Sequence, residues 1–286
     1  MTFHLIRHDL DYMPWEYHGS QQVFRGPSVD HRRPFVAVLG GSEMVGRHVR
    51  QPVPDLLAGA LGVQVANVAL HNAGPDAYLR DPALMDLVAR ADLVVLQVMG
   101  AANLSNRYYV VHPRRNDRFV RPTHDLRRLY PQVDFTDFAF TRHLLQVLRT
   151  RSPKGFQYVA RELRRNWIAR MTELVEAIGR PVFLVTVANR RGLSGEAEPL
   201  LIDEEMVDNL SPLVEGHEQC EVTSFLDENR LEEMIFSDEE IAAAQNLLPP
   251  LAHEEVAKRL VVRLRPLVAR YVRQDVGGDL PIARNG

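Results

Sequence analysis

The sequence predicts an α/β fold: three αβα layers around a mostly parallel sheet of about five strands, flavodoxin-like in type. Three observations predict it. Short apolar, β-branched runs alternate with stretches of helical periodicity, the pattern of βαβ units. The run Asp92-Leu-Val-Val-Leu-Gln-Val is continuously apolar rather than alternating, as a strand covered on both faces must be. Glycine turns follow the apolar runs, where open α/β sheets hold their ligands.

In chain order, the strands are expected at Phe35–Leu39, Val63–Leu70, Asp92–Val98, Pro181–Val187 and Cys220–Phe225. Helices are expected at Val53–Leu61, Pro82–Arg90, Phe140–Arg149, Phe156–Ile178, Ser237–Leu247 and Ala252–Val272. In the longest of these, apolar residues fall at 156, 159, 160, 163, 167, 168, 171, 174, 175 and 178, close to a 3.6-residue period. Pro181 ends that helix and opens the next strand. Residues 1–34 are expected to pack as an extension on a single domain spanning 35–272. A basic lid inserted at about 104–153 and a flexible tail over 273–286 are also expected.

Composition narrows the function. The chain has 286 residues, 34 basic against 37 acidic, a net charge of −3 and 45% hydrophobic residues. Such a balance fits a globular protein without a general attraction to nucleic acid or acidic lipid. No apolar run approaches the ~20 residues of a membrane span, and the start Met1-Thr-Phe-His-Leu-Ile-Arg-His-Asp lacks a signal-peptide pattern. A cytoplasmic location is the expectation. The single cysteine, Cys220, excludes an internal disulfide and a cysteine zinc site. His4 and His8 stand at i, i+4 but without an accompanying acidic pattern, so no metal is expected. All basic residues except Lys154 and Lys258 are arginine, a bias that GC-rich codon usage explains as readily as anion binding does.

Charge is unevenly distributed. Residues 104–130 carry seven arginines against Asp117 and Asp125, and residues 196–255 carry 18 acids against Arg230. Two outcomes are open: the segments neutralise each other in the fold, or the basic one faces an anionic ligand. Its interleaved Tyr108, Tyr109, Phe119 and Tyr130 argue for an ordered lid. Asn106, Arg107, His112, Arg114, Arg115 and Arg118 are its candidate substrate contacts, and Arg47 is another near the first turn. The expected partner is a small molecule or saccharide, with nucleic acid a poor fit.

The chemistry centres on Phe35-Val-Ala-Val-Leu-Gly-Gly-Ser-Glu-Met-Val-Gly-Arg-His-Val. Glycines at 40, 41 and 46 do not make a dinucleotide fingerprint, and Arg47-His48 stands where a phosphate loop needs Lys-Ser/Thr. Ser42 instead stands at a helix start, either as a plain N-cap or as a nucleophile beside oxyanion-stabilising N–H groups. Two further strand ends carry Asn67-Val-Ala-Leu-His-Asn-Ala-Gly-Pro-Asp-Ala and Gln97-Val-Met-Gly-Ala-Ala-Asn-Leu-Ser-Asn. Ser42, Gly74 and Asn103 are thereby expected at one sheet edge.

This arrangement resembles the SGNH/GDSL hydrolases, with Ser42 and Gly46 at that superfamily's serine-to-glycine spacing. The resemblance implies an ester-cleaving or acyl-transferring serine enzyme without a cofactor. Ser42 would be the nucleophile, Gly74 N–H and the Asn103 carboxamide would complete the oxyanion hole, and His253 would be the base. Gly41 replaces the superfamily's Asp, and Pro250 stands where its late Asp-x-x-His has Asp. The chain also resembles an uncharacterised bacterial family through its Gly-Gly-Ser-Glu turn and its Val111-His-Pro-Arg-Arg-Asn-Asp-Arg-Phe segment. Two other readings stay open: a non-catalytic domain of this type that binds an anionic saccharide or a protein, and a transferase holding a phosphate or sulfate donor on the Gly41/Gly46 turn and Arg47.

Overall fold

The computed structural model describes residues 10–191, 196–222 and 231–272. The strands are β1 (Trp15–Glu16), β2 (Val23–Phe24), β3 (Phe35–Leu39), β4 (Gln64–Asn67), β5 (Leu93–Gln97), β6 (Tyr109–Val111), β7 (Phe119–Pro122), β8 (Val182–Arg191), β9 (Glu196–Glu198) and β10 (Gly216–Glu221). Helices α1 (Ser42–Val45), α2 (Val53–Leu61), α3 (Pro75–Leu79) and α4 (Pro82–Ala89) connect the first strands. They are followed by α5 (His124–Leu129), α6 (Thr141–Arg151), α7 (Pro153–Ile178), α8 (Glu204–Asp208), α9 (Ile241–Ala244) and α10 (Pro250–Tyr271).

Five strands form a parallel sheet in the order β4-β3-β5-β8-β10, with β9 antiparallel to the end of β8. Numbered along the chain, the parallel strands run 2-1-3-4-5, the flavodoxin-like order. The order reverses between β3 and β5, so a crevice opens at their carboxyl ends. Every residue of β3 and β5 is buried because both sheet faces are covered. Val36, Val38, Leu93 and Val95 pack under α2 and α10, while Ala37, Leu39, Val94 and Leu96 pack under α3, α4, α6 and α7.

Local signals fix several boundaries. Ser152 caps α7 by accepting from Gly155 N–H, with Pro153 in the first turn, and Gly179 ends it in the left-handed region at φ 60. Asp81 caps α4 by accepting from Leu84 N–H. Buried Arg25 ties the segment before β3 to the turns around α1, donating to the carbonyls of Val45, Gly46, Val49 and Arg50.

Two expectations need correction. The last strand is Gly216–Glu221 rather than Cys220–Phe225, and residues 223–225 lie outside the described residues. Its register is set by parallel pairing with β8, from Gly216 opposite Phe183 to Glu221 opposite Ala188. The helix expected over Ser237–Leu247 is a 3-10 turn, Asp238–Glu240, followed by the single turn α9. The inserted segment is built from the antiparallel pair β6/β7 and helices α5 and α6, held by a cluster of Phe119, Phe135 and Phe138. His4 and His8 lie outside the described residues. Among those described, no group of three or more His, Cys, Asp or Glu is placed to hold a metal. No helix among them is long and apolar enough to cross a membrane.

Candidate active site

Where β3 ends, Gly40 passes so close to Gln97 that a Cβ would lie 2.4 Å from Gln97 Oε1. The Tyr78 hydroxyl accepts from Gly40 N–H at 2.9 Å and donates to Gly40 O at 2.7 Å, fixing the turn. Gly46 closes α1 at φ 67, where a Cβ would meet Pro52 at 2.2 Å, so glycine is required on both conformational and steric grounds. Between them, Ser42 opens α1 at the crevice, 8% exposed.

The Ser42 hydroxyl is held by one residue through two groups. It accepts from Asn72 N–H and donates to Asn72 Oδ1, both at 3.0 Å. Asn72 follows β4 with φ 52, a left-handed conformation that asparagine tolerates better than most side chains. Its Nδ2 donates to Asp117 Oδ2 at 3.1 Å. Asn103, beyond β5, donates from Nδ2 to Asn72 O at 3.0 Å and accepts from Thr141 Oγ1 at 2.9 Å. A continuous chain of hydrogen bonds therefore joins Ser42, Asn72, Asn103 and Thr141, drawn from four separate segments.

These groups line a cavity of about 370 Å³ at the β3/β5 crevice, together with Glu43, Asp117 and His143. Glu43 is oriented by Gln97, which donates from Nε2 to Glu43 Oε2 at 3.0 Å and accepts from Gly41 N–H at 2.8 Å. Ser42 N–H, at the first helical position, has no acceptor among the described residues.

Of the residues expected at the site, Ser42 and Asn103 line this cavity. Gly74 packs against Asn103, with a hypothetical Cβ 2.3 Å from Asn103 O, but its N–H donates to Asn116 Oδ1 at 2.9 Å. The amide hydrogen that meets Ser42 Oγ is that of Asn72. His253 is a core histidine. It is 1% exposed, accepts from Val53 N–H through Nδ1 at 3.2 Å and lines no part of the cavity. Burial, with the Arg25 charge adding to it, pushes the imidazole down to about 3.

The lid residues also have local duties. Asn106 accepts from the N–H groups of Tyr108 and Tyr109, and His112 Nδ1 accepts from those of Arg114 and Arg115. Arg107 pairs with Asp125 at 2.6 Å, Arg114 donates to Gln21, and Arg118 stacks 4.2 Å from the Phe140 ring centroid. Exposed Arg115 does not line the cavity. Arg47 pairs with Glu240 at 2.5 Å. Ion pairs of the acidic segment go to Arg47, Arg164, Lys258, Arg259, Arg263 and Arg270.

Sequence reasoning missed Asn72, Asp117, Thr141 and His143. Asn72 carried a weak signal, a polar residue with a tolerance for left-handed backbone just beyond a strand. The other three reach the site only through tertiary contacts.

The profile of a protein family described as a domain of unknown function, DUF6473, matches residues 1–268, and the chain belongs to that family. No curated protein matches it. Among solved structures, the chain is similar to the lipase Lip_vut3 from a goat rumen metagenome, with TM-score 0.39 and 12% identity over 80% of this chain and 97% of that one. It is also similar to SsfX3, a salicylyl-acyltransferase from a tetracycline biosynthetic pathway, with TM-score 0.41 and 12% identity over 88% of this chain and 60% of that one.

Proposed function

We propose that this member of the DUF6473 family is an SGNH-like serine esterase or O-acyl-transfer enzyme, acting on a small or saccharide ester with Ser42 as its nucleophile. The observation that carries the reading is the Ser42–Asn72–Asn103 hydrogen-bond chain at the switch-point cavity. Ser42 Oγ attacks the ester carbonyl, and the negative charge develops beside donors already in place. These donors are Ser42 N–H and the Asn103 carboxamide, whose second amide hydrogen is not spent on Asn72 O, while Asn72 N–H holds Ser42 Oγ itself. The cavity is large enough for a small ester. Its carboxamide and carboxylate lining (Asn72, Asn103, Gln97, Glu43, Asp117) suits a substrate rich in hydroxyl groups. None of the arginines expected to receive an anion lines the cavity, which favours an uncharged ester.

A fluorophosphonate probe read by intact mass tests this. One covalent adduct is expected on the wild-type chain and none on Ser42→Ala. Absence of an adduct at large probe excess would refute it.

One observation favours a second reading, a non-catalytic domain that binds a saccharide or a protein: no described imidazole hydrogen-bonds to Ser42. In that case acyl sugars would raise the melting temperature of a chain that no probe labels. The donor-transferase reading has less support. Gly41 N–H is taken by Gln97 and Arg47 by Glu240, which fills the anion cradle from within the protein.

A further inference from the structure

Resting on that reading, we propose that His143 is the proton acceptor and donor for Ser42. A serine hydroxyl is a weak nucleophile unless a neighbouring base takes its proton. His143 is the imidazole that lines the Ser42 cavity among the described residues. Its side chain is exposed and so keeps nitrogens for exchange, and an edge-to-face contact with Phe138 at 5.0 Å between centroids steadies the ring. The first turn of α6 also fixes where the imidazole sits. Thr141 N–H donates to Asp117 O at 2.9 Å, and Thr141 Oγ1 donates to Asn103. The turn that presents His143 is thereby bolted to both residues that contact Asn72, the partner of Ser42.

His71, beside Asn72, does not line the cavity, and two further imidazoles near the sheet edge are engaged elsewhere. His253 accepts from Val53 N–H inside the core, and His48 Nδ1 is hydrogen-bonded to Ile235 O. The charged groups sharing the wall with His143 are Glu43 from α1, Asp117 from the lid turn and Arg142 from its own helix. The two carboxylates have orienting duties already, toward Gln97 and Asn72 respectively.

The chemistry balances without a cofactor. As the Oγ–carbon bond forms, the carbonyl π pair moves to oxygen and the Ser42 proton passes to the imidazole. When the ester C–O bond breaks, that proton leaves with the alcohol. Water or an acceptor hydroxyl then attacks the acyl-serine, giving its proton to the imidazole, which returns it to Ser42 Oγ.

The experiment measures the rate of fluorophosphonate labelling at Ser42 across pH in wild type, His143→Ala, His143→Gln, Glu43→Gln and Asp117→Asn, with folding checked by circular dichroism. Loss of a general base is expected to slow labelling about 100-fold or more in both His143 variants. Their rate should also lose the acid-side fall that imidazole protonation produces, and added imidazole should speed His143→Ala labelling but not wild type. If a folded His143→Ala or His143→Gln is labelled as fast as wild type, His143 is not the base, while the nucleophile assignment survives. A large loss confined to Glu43→Gln or Asp117→Asn would transfer the role to that carboxylate. A wild type that is never labelled sinks both proposals at once.

Discussion

Asparagine does two different jobs in the segments around the Ser42 cavity, and burial separates them. Asn116 is fully buried, accepting from Gly74 N–H through Oδ1 and donating from Nδ2 to His112 O and Pro113 O. Truncating it leaves a buried donor and two carbonyls without their partner, a mechanism that costs roughly 1–3 kcal/mol per orphaned group. Asn103 is only half-buried, and its carboxamide faces the cavity. Asn116→Ala is therefore expected to lower unfolding free energy by about 2 kcal/mol in urea. Asn103→Ala should slow Ser42 labelling by about 100-fold or more, with a smaller loss of stability. Urea titrations and labelling rates on the same two variants check the contrast, and the opposite pattern would reverse the assignment of roles. Both residues sit in plain view in the sequence. Asn103 was legible because it follows a strand end at a recognisable offset, whereas Asn116 had no signal beyond its place in a polar run.

Among the elements, α2 holds a titrating pair with opposing effects. Its first N–H, on Val53, donates to His253, and Asp55 lies in its first turn close enough to Arg25 to feel its charge. Burial holds the His253 imidazole near 3, whereas an unfolded histidine takes its proton near 6.5. Between those values the unfolded chain binds the additional proton, so stability falls as pH falls, by up to ~1.4 kcal/mol per pH unit. Asp55 works the other way. Burial raises its carboxyl to about 6 against the opposing pull of Arg25, so between about 4 and 6 the folded chain holds the additional proton and stability falls as pH rises. The two slopes oppose each other from pH 6 to 4. Relative to wild type, Asp55→Asn should lose stability more steeply across that interval on acidification, and His253→Gln less steeply. Parallel curves for all three chains would contradict the pairing. Elements of this kind were legible where burial is continuous: β3 matches its expected bounds, and β5 falls one residue inside each end. Legibility failed at β10, where Gly-His-Glu-Gln-Cys-Glu is half exposed at the sheet edge and only its pairing with β8 fixes the register. It failed as well at β6/β7, whose strands are short and held by Phe119, Phe135 and Phe138 from separate parts of the lid.

For the molecule as a whole, topology decides where chemistry can occur. Because β4 lies on one side of β3 and β5 on the other, the connections leaving β3 and β5 diverge, and the gap between them cannot be filled by either crossover helix. The chain fills part of it with the inserted segment, through Asp117, Thr141 and His143, and leaves the cavity beside Ser42. This dependence on distant segments explains why the sequence disclosed the Ser42 turn and Asn103 but not Asn72 or Thr141: Ser42 and Asn72 are 30 residues apart, and Asn103 and Thr141 are 38. A ligand that fills this cavity would meet all four segments. Covalent capture of Ser42 by a fluorophosphonate bearing a sugar-sized group is therefore expected to slow amide exchange together in residues 40–45, 70–74, 98–104 and 139–146. The α10 helix covers the opposite sheet face and should exchange as before. Hydrogen exchange read by mass spectrometry distinguishes the alternatives. Protection limited to residues 40–45 would mean that the adduct projects into solvent and that the lid has no part in holding substrate. Joint protection would mean that the lid and the sheet edge bind as a single surface.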